Sequence, residues 1–458
     1  MNYNQGETIV AAATPPGRAA IALIRVSGPE AKNLVAKQFR SRGRCDWAVR
    51  SPLLGHFLDI EGNPLDQVVT TFFRAPASYT GEDLVEISCH GSPVVARQIV
   101  ETILKSGARL AEPGEFTLRA FLNAKMDLAQ AEAVRDLIES HTGFQAKVAA
   151  EQLEGKLSRT LQPLKKEIVR ILCHMETAVE FVEDDVKPEA RQKLIGSLEK
   201  VDKELEKLEE SFRLGRIVQE GIKAAIAGKP NVGKSSLFNG LLLDDRAIVT
   251  DVPGTTRDAL TETIDLEGIP TRLADTAGIH PAKDPVEHLG VQKSLQYLRE
   301  SDAVLFVVDR TTPFDEEDYR IWRLVREYPC VLVLNKEDLP SQVKIPEEVE
   351  QTCAASVSVC ALKGTHLDDV KKALLKVVTP DREFEKEEAL ITSIRHKRCI
   401  EVARKHLQAG IGSYHSGMSE EFPLYDFRKA LDAIAEITGE TTIEDILQQI
   451  FSTFCIGK

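Results

Sequence analysis

Residues 222–227 form a short, mostly apolar run, and directly behind it stand Gly228-Lys229-Pro230-Asn231-Val232-Gly233-Lys234-Ser235, followed by Ser236-Leu237-Phe238 at the head of a helical stretch. This order of strand, glycine-rich loop and helix constrains the fold most, because it calls for a doubly wound α/β sheet whose loop wraps a chain of phosphates. Glycines let the backbone turn its N–H groups onto phosphate oxygens, Lys234 reaches the β and γ phosphates, and the Ser235 hydroxyl binds Mg2+. Asn231, Val232, Gly233 and Ser236 complete the contact with the nucleotide. A chance match in a chain this long is on the order of one per cent, which sets aside a plain glycine turn.

Further motifs follow in the order such a sheet requires. Asp275-Thr276-Ala277-Gly278 offers a carboxylate suited to hold magnesium through water and a glycine N–H that can sense the γ-phosphate. Asn335-Lys336-Glu337-Asp338 follows the apolar run 331–334. The Asp338 carboxylate can accept both N1–H and N2–H of guanine, whereas adenine has no donor at either place, so GTP is the expected nucleotide. Lys336 is expected along the base plane, and Asn335 is expected to tie this loop to the phosphate loop. Cys360-Ala361-Leu362, after the strand-like run 355–359, is the candidate for a backbone N–H to guanine O6, with Ala361 the first choice. Thr250 to Asp258 occupies the place of a first switch loop, where Thr256 would close the magnesium shell.

A glutamine that orients the attacking water in Ras-like enzymes is replaced here by Ile279, whose side chain cannot hydrogen-bond. A monovalent cation is therefore expected to assist. Asn231 can ligate it with its side-chain oxygen, and the backbone carbonyls of Thr250, Val252 and Thr255 can complete a shell of potassium size.

The remaining text places this unit inside a larger chain. At 458 residues, two to four domains are expected. Residues 1–122 read as an α+β domain of short strands (8–12, 20–26, 68–73, 84–88) with helices between. Residues 123–219 turn helical: Leu153, Leu157, Leu161, Leu164, Ile168, Ile171 and Met175 recur three or four apart, and Leu194 to Phe212 repeat the spacing. The α/β grammar holds over 220–379, with strands at 222–227, 303–308 and 330–334. Helical spacing returns over 380–458, so the simplest economy is a helical domain interrupted by the nucleotide domain.

Charge and composition then narrow the partners. A formal charge of −13 argues against nonspecific coating of nucleic acid, so any RNA contact must be local. Eight cysteines without a C-x-x-C pair signal neither a zinc ribbon nor a redox motif and read as reduced cytosolic thiols. The N-terminus has no secretory pattern and no apolar run reaches bilayer length, so a cytoplasmic protein without membrane attachment is expected. Cys89-His90 tempts a nucleophilic reading, yet neighbours on a strand point to opposite faces and cannot form a dyad.

Beyond these motifs, Thr8-Ile9-Val10, Pro15-Pro16-Gly17-Arg18, Thr80-Gly81-Glu82-Asp83, Pro113-Gly114-Glu115-Phe116, Asp127-Leu128-Ala129-Gln130-Ala131-Glu132 and the terminal Cys455-Ile456-Gly457-Lys458 resemble the TrmE-type (MnmE) family of tRNA modification GTPases from end to end. The resemblance implies a multidomain chain: an N-terminal α+β domain similar to folate-binding domains, a helical domain, and an inserted Ras-like GTPase domain. It implies a homodimer built through the N-terminal domain and a heterotetramer-type complex with MnmG (GidA), the partner that carries FAD. Together they would place a carboxymethylaminomethyl or aminomethyl group on C5 of the tRNA wobble uridine.

The family's folate contacts map onto Arg25, Glu86, Lys125 and Lys458, for a reduced folate such as 5,10-methylenetetrahydrofolate or 5-formyltetrahydrofolate. Its catalytic glutamate maps onto Glu287, and Cys455 gains a role in the modification. His280 stands where the family more often has arginine, which removes any permanent cation there. The competing reading is a regulatory GTPase of ribosome assembly, which commonly carries a Gly-x-x-Gly clamp behind the GTPase domain; no such glycines occur in 384–458.

Overall fold

The structure is a computed structural model that describes residues 6–41, 47–180, 188–244, 261–275, 296–379, 390–441 and 444–458. The chain divides into two compact units: residues 1–135, 151–201 and 402–458, and residues 136–150 with 202–401.

The first unit holds a seven-stranded sheet built from β1 (Ile9–Ala12), β2 (Ile21–Ser27), β3 (Phe39–Ser41), β4 (Pro52–Leu58), β5 (Pro64–Phe73), β6 (Leu84–His90) and β7 (Arg109–Leu110), in the order β3-β4-β5-β6-β2-β1-β7. All pairs are antiparallel except β1 with β7. The period-2 alternation of β2 and β6 sends Ala22, Ile24, Val26, Val85, Ile87 and Cys89 inward against α1 (Ala31–Gln38) and α2 (Pro93–Lys105). Arg25 and Glu86, cross-strand partners, share the opposite face. That alternation keeps Cys89 and His90 apart: the Cys89 thiol is buried and pushed up to about 11, while His90 is exposed and pairs with Asp66 at 2.7 Å.

Helices α3 (Glu115–Leu122), α4 (Leu128–Glu139), α5 (Gly143–Leu153), α6 (Lys156–Glu180) and α7 (Pro188–Glu220) follow. The apolar row from Leu153 to Met175 reads as one helix but occupies two, because Gly155 adopts φ +82 between α5 and α6. Leu157, Leu161, Ile168, Ile171 and Met175 are buried as their spacing demands.

In the second unit β8 (Ile222–Ala227), α8 (Lys234–Asp244), β9 (Thr261–Leu266), β10 (Ile269–Asp275), β11 (Ala303–Asp309), α9 (Glu316–Val325), β12 (Cys330–Asn335), α10 (Glu347–Thr352), β13 (Ala355–Val359) and α11 (Leu367–Val378) form a sheet of order β13-β12-β11-β8-β10-β9 and its covering helices. Five strands are parallel; β9 runs antiparallel to β10. Its text Thr-Glu-Thr-Ile-Asp-Leu is too polar to announce a strand, and an edge strand with one solvated face needs no more. Every residue of β11 is buried, as expected of a strand covered on both faces, by α8 and α11 on one side and α9 on the other. Past α11 come α12 (Ile394–His415), α13 (Glu421–Thr438) and α14 (Glu444–Ser452); α13 packs on α6 within the first unit. No helix among the described residues is long and apolar enough to cross a membrane.

Candidate functional site

The strand order reverses around β8, and the loop 228–233 leaves its carboxyl end there, where open α/β sheets bind ligands. The loop is shaped by close approach: Gly233 has φ +98, and a Cβ on it would lie 2.1 Å from Nδ2 of Asn335. Asn231 is also left-handed at φ +63 and exposed, which leaves its side-chain amide available to solvent or an ion. Lys234 folds back into the loop, its Nζ donating to the carbonyls of Gly228 (2.9 Å) and Lys229 (2.8 Å). Burial lowers the pKa of this ammonium, partly opposed by Asp275 and Glu317. The group is thus held in a cradle of carbonyls from which phosphate can draw it.

Ser235 Oγ donates to Asp275 Oδ2 at 3.0 Å, while Asp275 Oδ1 is buried without a hydrogen-bond partner among the described residues. A hydroxyl and a carboxylate with a spare acceptor form the hard oxygen set that suits Mg2+ with waters. These two side chains would hold the ion, which supplies charge neutralisation at the phosphates.

The base side is organised by Asn335, which is 3% exposed. Its Nδ2 donates to the Val232 carbonyl at 2.7 Å, and its Oδ1 accepts the Ala361 N–H at 3.0 Å. One side chain therefore joins the phosphate loop, the end of β12 and the segment after β13. The Ala361 N–H, expected at guanine O6, is directed at Asn335 here. Lys336, at φ +68, pairs with Asp309, whose other oxygen accepts from Thr311. Asp338 meets Lys363 at 3.2 Å, and its carboxyl is held below the ordinary range first by the Cys360 thiol and then by Lys363. Ser236 follows Ser235 in the first turn of α8.

Thr250, Val252, Thr255, Thr256, Thr276, Ala277, Gly278, Ile279, His280 and Glu287 lie outside the described residues. Sequence reasoning passed over Lys229, whose ammonium reaches Asp315 (2.8 Å) and buried Asp318 (2.7 Å) at the start of α9. The Asp315-x-x-Asp318 spacing of a capping box was the available signal.

In the first unit, Arg25 Nε donates to Glu86 Oε1 at 3.0 Å, and its guanidinium stacks 5.3 Å from the Tyr79 ring centre. Arg25 Nη1 is buried without a partner among the described residues. Lys458 arrives at this pair from the far end of the chain: its ammonium is lowered by partial burial and by the Arg25 charge, with Glu86 and Cys455 opposing. The tail is seated against β1, where Gly457 comes so close that a Cβ would lie 2.4 Å from the Ala12 carbonyl. Cys455 itself is exposed. Lys125 is anchored elsewhere, donating to the Pro76 carbonyl at 3.1 Å.

A profile of the TrmE N-terminus, described as GTP-binding protein TrmE, matches residues 8–125, and one of the MnmE helical domain matches residues 128–455. The second match spans the whole nucleotide unit. The chain belongs to the MnmE family. It is 42% identical to the tRNA modification GTPase MnmE of Aquifex aeolicus over 99% of this chain and 100% of that one. The MnmE proteins of Koribacter versatilis (43%, 99% and 100%) and Thermotoga maritima (39%, 99% and 100%) are similar over the same extent. In this member of the MnmE family the two side-chain clusters just described sit in separate units of the chain.

Proposed function

We propose that this chain hydrolyses GTP with Mg2+ and K+ and couples that hydrolysis to a folate-dependent modification at C5 of the tRNA wobble uridine. The observation that carries the nucleotide half is the pair of hydrogen bonds made by Asn335, donated to the Val232 carbonyl and accepted from the Ala361 N–H, which ties the segment after β12 to the phosphate loop. Lys234 would bind phosphate oxygens, Ser235 and Asp275 would hold magnesium, and Asp338 would read the base. Thr256 would close the magnesium shell, and Thr276, Ala277 and Gly278 would face the γ-phosphate.

Exposed Asn231, with the carbonyls of Thr250, Val252 and Thr255, is our choice for the potassium ligands. A cation there supplies the charge that an arginine finger supplies elsewhere, about 10³ to 10⁵ in rate. Glu287 would orient the attacking water.

For the modification half, Arg25, Glu86 and Lys458 form a mixed-charge cluster with an unmet guanidinium N–H, which suits a ligand with both carboxylates and pterin donors. Reduced folate is that ligand in our reading, with Lys125 on its tail and the exposed Cys455 thiol near Lys458. Leu54 and Val69 are cross-strand partners on the same sheet face, 49% and 37% exposed, and Ile21 on that face is 61% exposed. That apolar surface supports homodimerisation through the first unit. MnmG would bring FAD, tRNA would be the shared substrate, and the site of action would be the cytoplasm.

Steady-state GTPase rates in matched potassium and sodium chloride, with Asn231→Ala and Glu287→Ala beside the parent, test the nucleotide half. Equal rates in the two salts would remove the cation; an unimpaired Glu287→Ala would remove its role in orienting water.

A further inference from the structure

Cys330 opens β12, and Cys353 caps α10 just ahead of β13. The parallel register sets Val331 opposite Ala355, and the Ala354 N–H donates to the Cys330 carbonyl at 2.9 Å. The two cysteines thus meet at the starts of adjacent strands. Their side chains lie in one apolar cluster beneath α9: Cys330 is 2% exposed within it, and Cys353 is half-buried at its margin. The two thiols are near enough to perturb each other's pKa, Cys330 upward and Cys353 downward.

We propose that Cys330 and Cys353 form a dithiol site that exchanges with small-molecule disulfides and closes into a reversible covalent tie between the starts of β12 and β13. The neighbouring thiol favours the reaction in a definite order. Cys353 is the half-buried, reachable thiol and its pKa is lowered by the neighbouring Cys330, while Cys353 and burial push the 2% exposed Cys330 up. Cys353, losing its proton to water, attacks one sulfur of the small disulfide; that S–S bond breaks and one small thiol leaves. Cys330 then gives up its proton and attacks Cys353 Sγ, expelling the second small thiol. Two protein thiols and one disulfide become one protein disulfide and two free thiols, so the electrons end on the small molecule.

The placement gives the tie a consequence. The far ends of β12 and β13 deliver Asn335 to Asp338 and Cys360-Ala361, the base side of the nucleotide site. Linking their starts cross-links the half-sheet that presents guanine recognition, without touching the residues that perform it.

The test incubates the full-length chain with oxidised glutathione at neutral pH, followed by non-reducing peptide mapping and thermal unfolding. The expected result is a linked peptide pair joining 330 and 353, two hydrogens lighter than the reduced pair. A rise in Tm on the order of 5 °C should accompany it, reversed by a dithiol reductant and absent in Cys353→Ser. A glutathione adduct that persists on Cys353, or a Cys330 that stays fully alkylated after oxidation, overturns the proposal. Should Cys353→Ser fail to fold, phenylarsine oxide, which needs two adjacent thiols, supplies the second readout. Binding competed by a small dithiol and lost in Cys330→Ala supports the site; no such binding to the reduced parent overturns it.

Discussion

Replacing Asn335 perturbs the nucleotide site where one side chain joins the phosphate loop to the segment after β13. In Asn335→Ala the Val232 carbonyl and the Ala361 N–H both lose their partner. The site is buried, Asn335 being 3% exposed, so water replaces neither bond. At roughly 1–3 kcal/mol for each orphaned group, the second unit should lose about 2–6 kcal/mol, and GTP affinity should fall by at least about tenfold. Asn335→Asp is the sharper variant. Its carboxylate still accepts the Ala361 N–H, but at neutral pH it turns an oxygen toward the Val232 carbonyl where Nδ2 stood at 2.7 Å. Burial and that oxygen both raise the folded pKa of the new acid above its unfolded value of about 3.9. The penalty is therefore full above the raised pKa and is relieved as pH falls through it, because a protonated acid can donate to Val232 as the amide did. Urea unfolding and fluorescent-nucleotide binding across a range of about pH 4.5–8, parent and variants together, measure both effects. An Asn335→Asp variant whose deficit against the parent is unchanged across that range would refute the assigned hydrogen bond, as would an Asn335→Ala deficit within about 0.5 kcal/mol of zero.

Asp338→Asn should weaken GTP and favour xanthosine triphosphate, which presents an oxygen at C2 where guanine has a donor; competition binding with the two nucleotides reads the switch, and unchanged preference would displace Asp338 as base reader. Arg25→Ala or Lys125→Ala should lower reduced-folate affinity by fluorescence or calorimetric titration while GTP turnover stays near that of the parent, because these residues lie in the first unit; equal loss of both would point to a shared fold defect.

What the amino-acid text disclosed follows from where local chemistry decides the outcome. The strands 222–227, 303–308 and 330–334 were legible because strands covered on both faces must be continuously apolar, and β11 is wholly buried. The two long helices announced themselves through their spacing, yet the break at Gly155 did not, since a four-residue step from Leu153 to Leu157 reads the same across a break. Strand β9 escaped notice because half of its surface is solvated. In the site, Lys234, Ser235 and Asn335 could be named from motif chemistry, whereas Lys229's bonds to Asp315 and Asp318 join segments far apart in sequence, and the capping-box spacing marks the start of α9 without naming its distant partner. The meeting of Arg25, Glu86 and Lys458 was legible only through family resemblance, because it unites two strands with the chain's last residue.

Mass spectrometry of wobble uridines in tRNA tests the central claim most directly, using cells that carry this chain, cells that lack it, and cells that carry Arg25→Ala. The account predicts a C5-aminomethyl-type uridine with the parent chain and its loss in both other strains, although purified Arg25→Ala still hydrolyses GTP. Wobble uridines that stay fully modified when the chain is absent would contradict it.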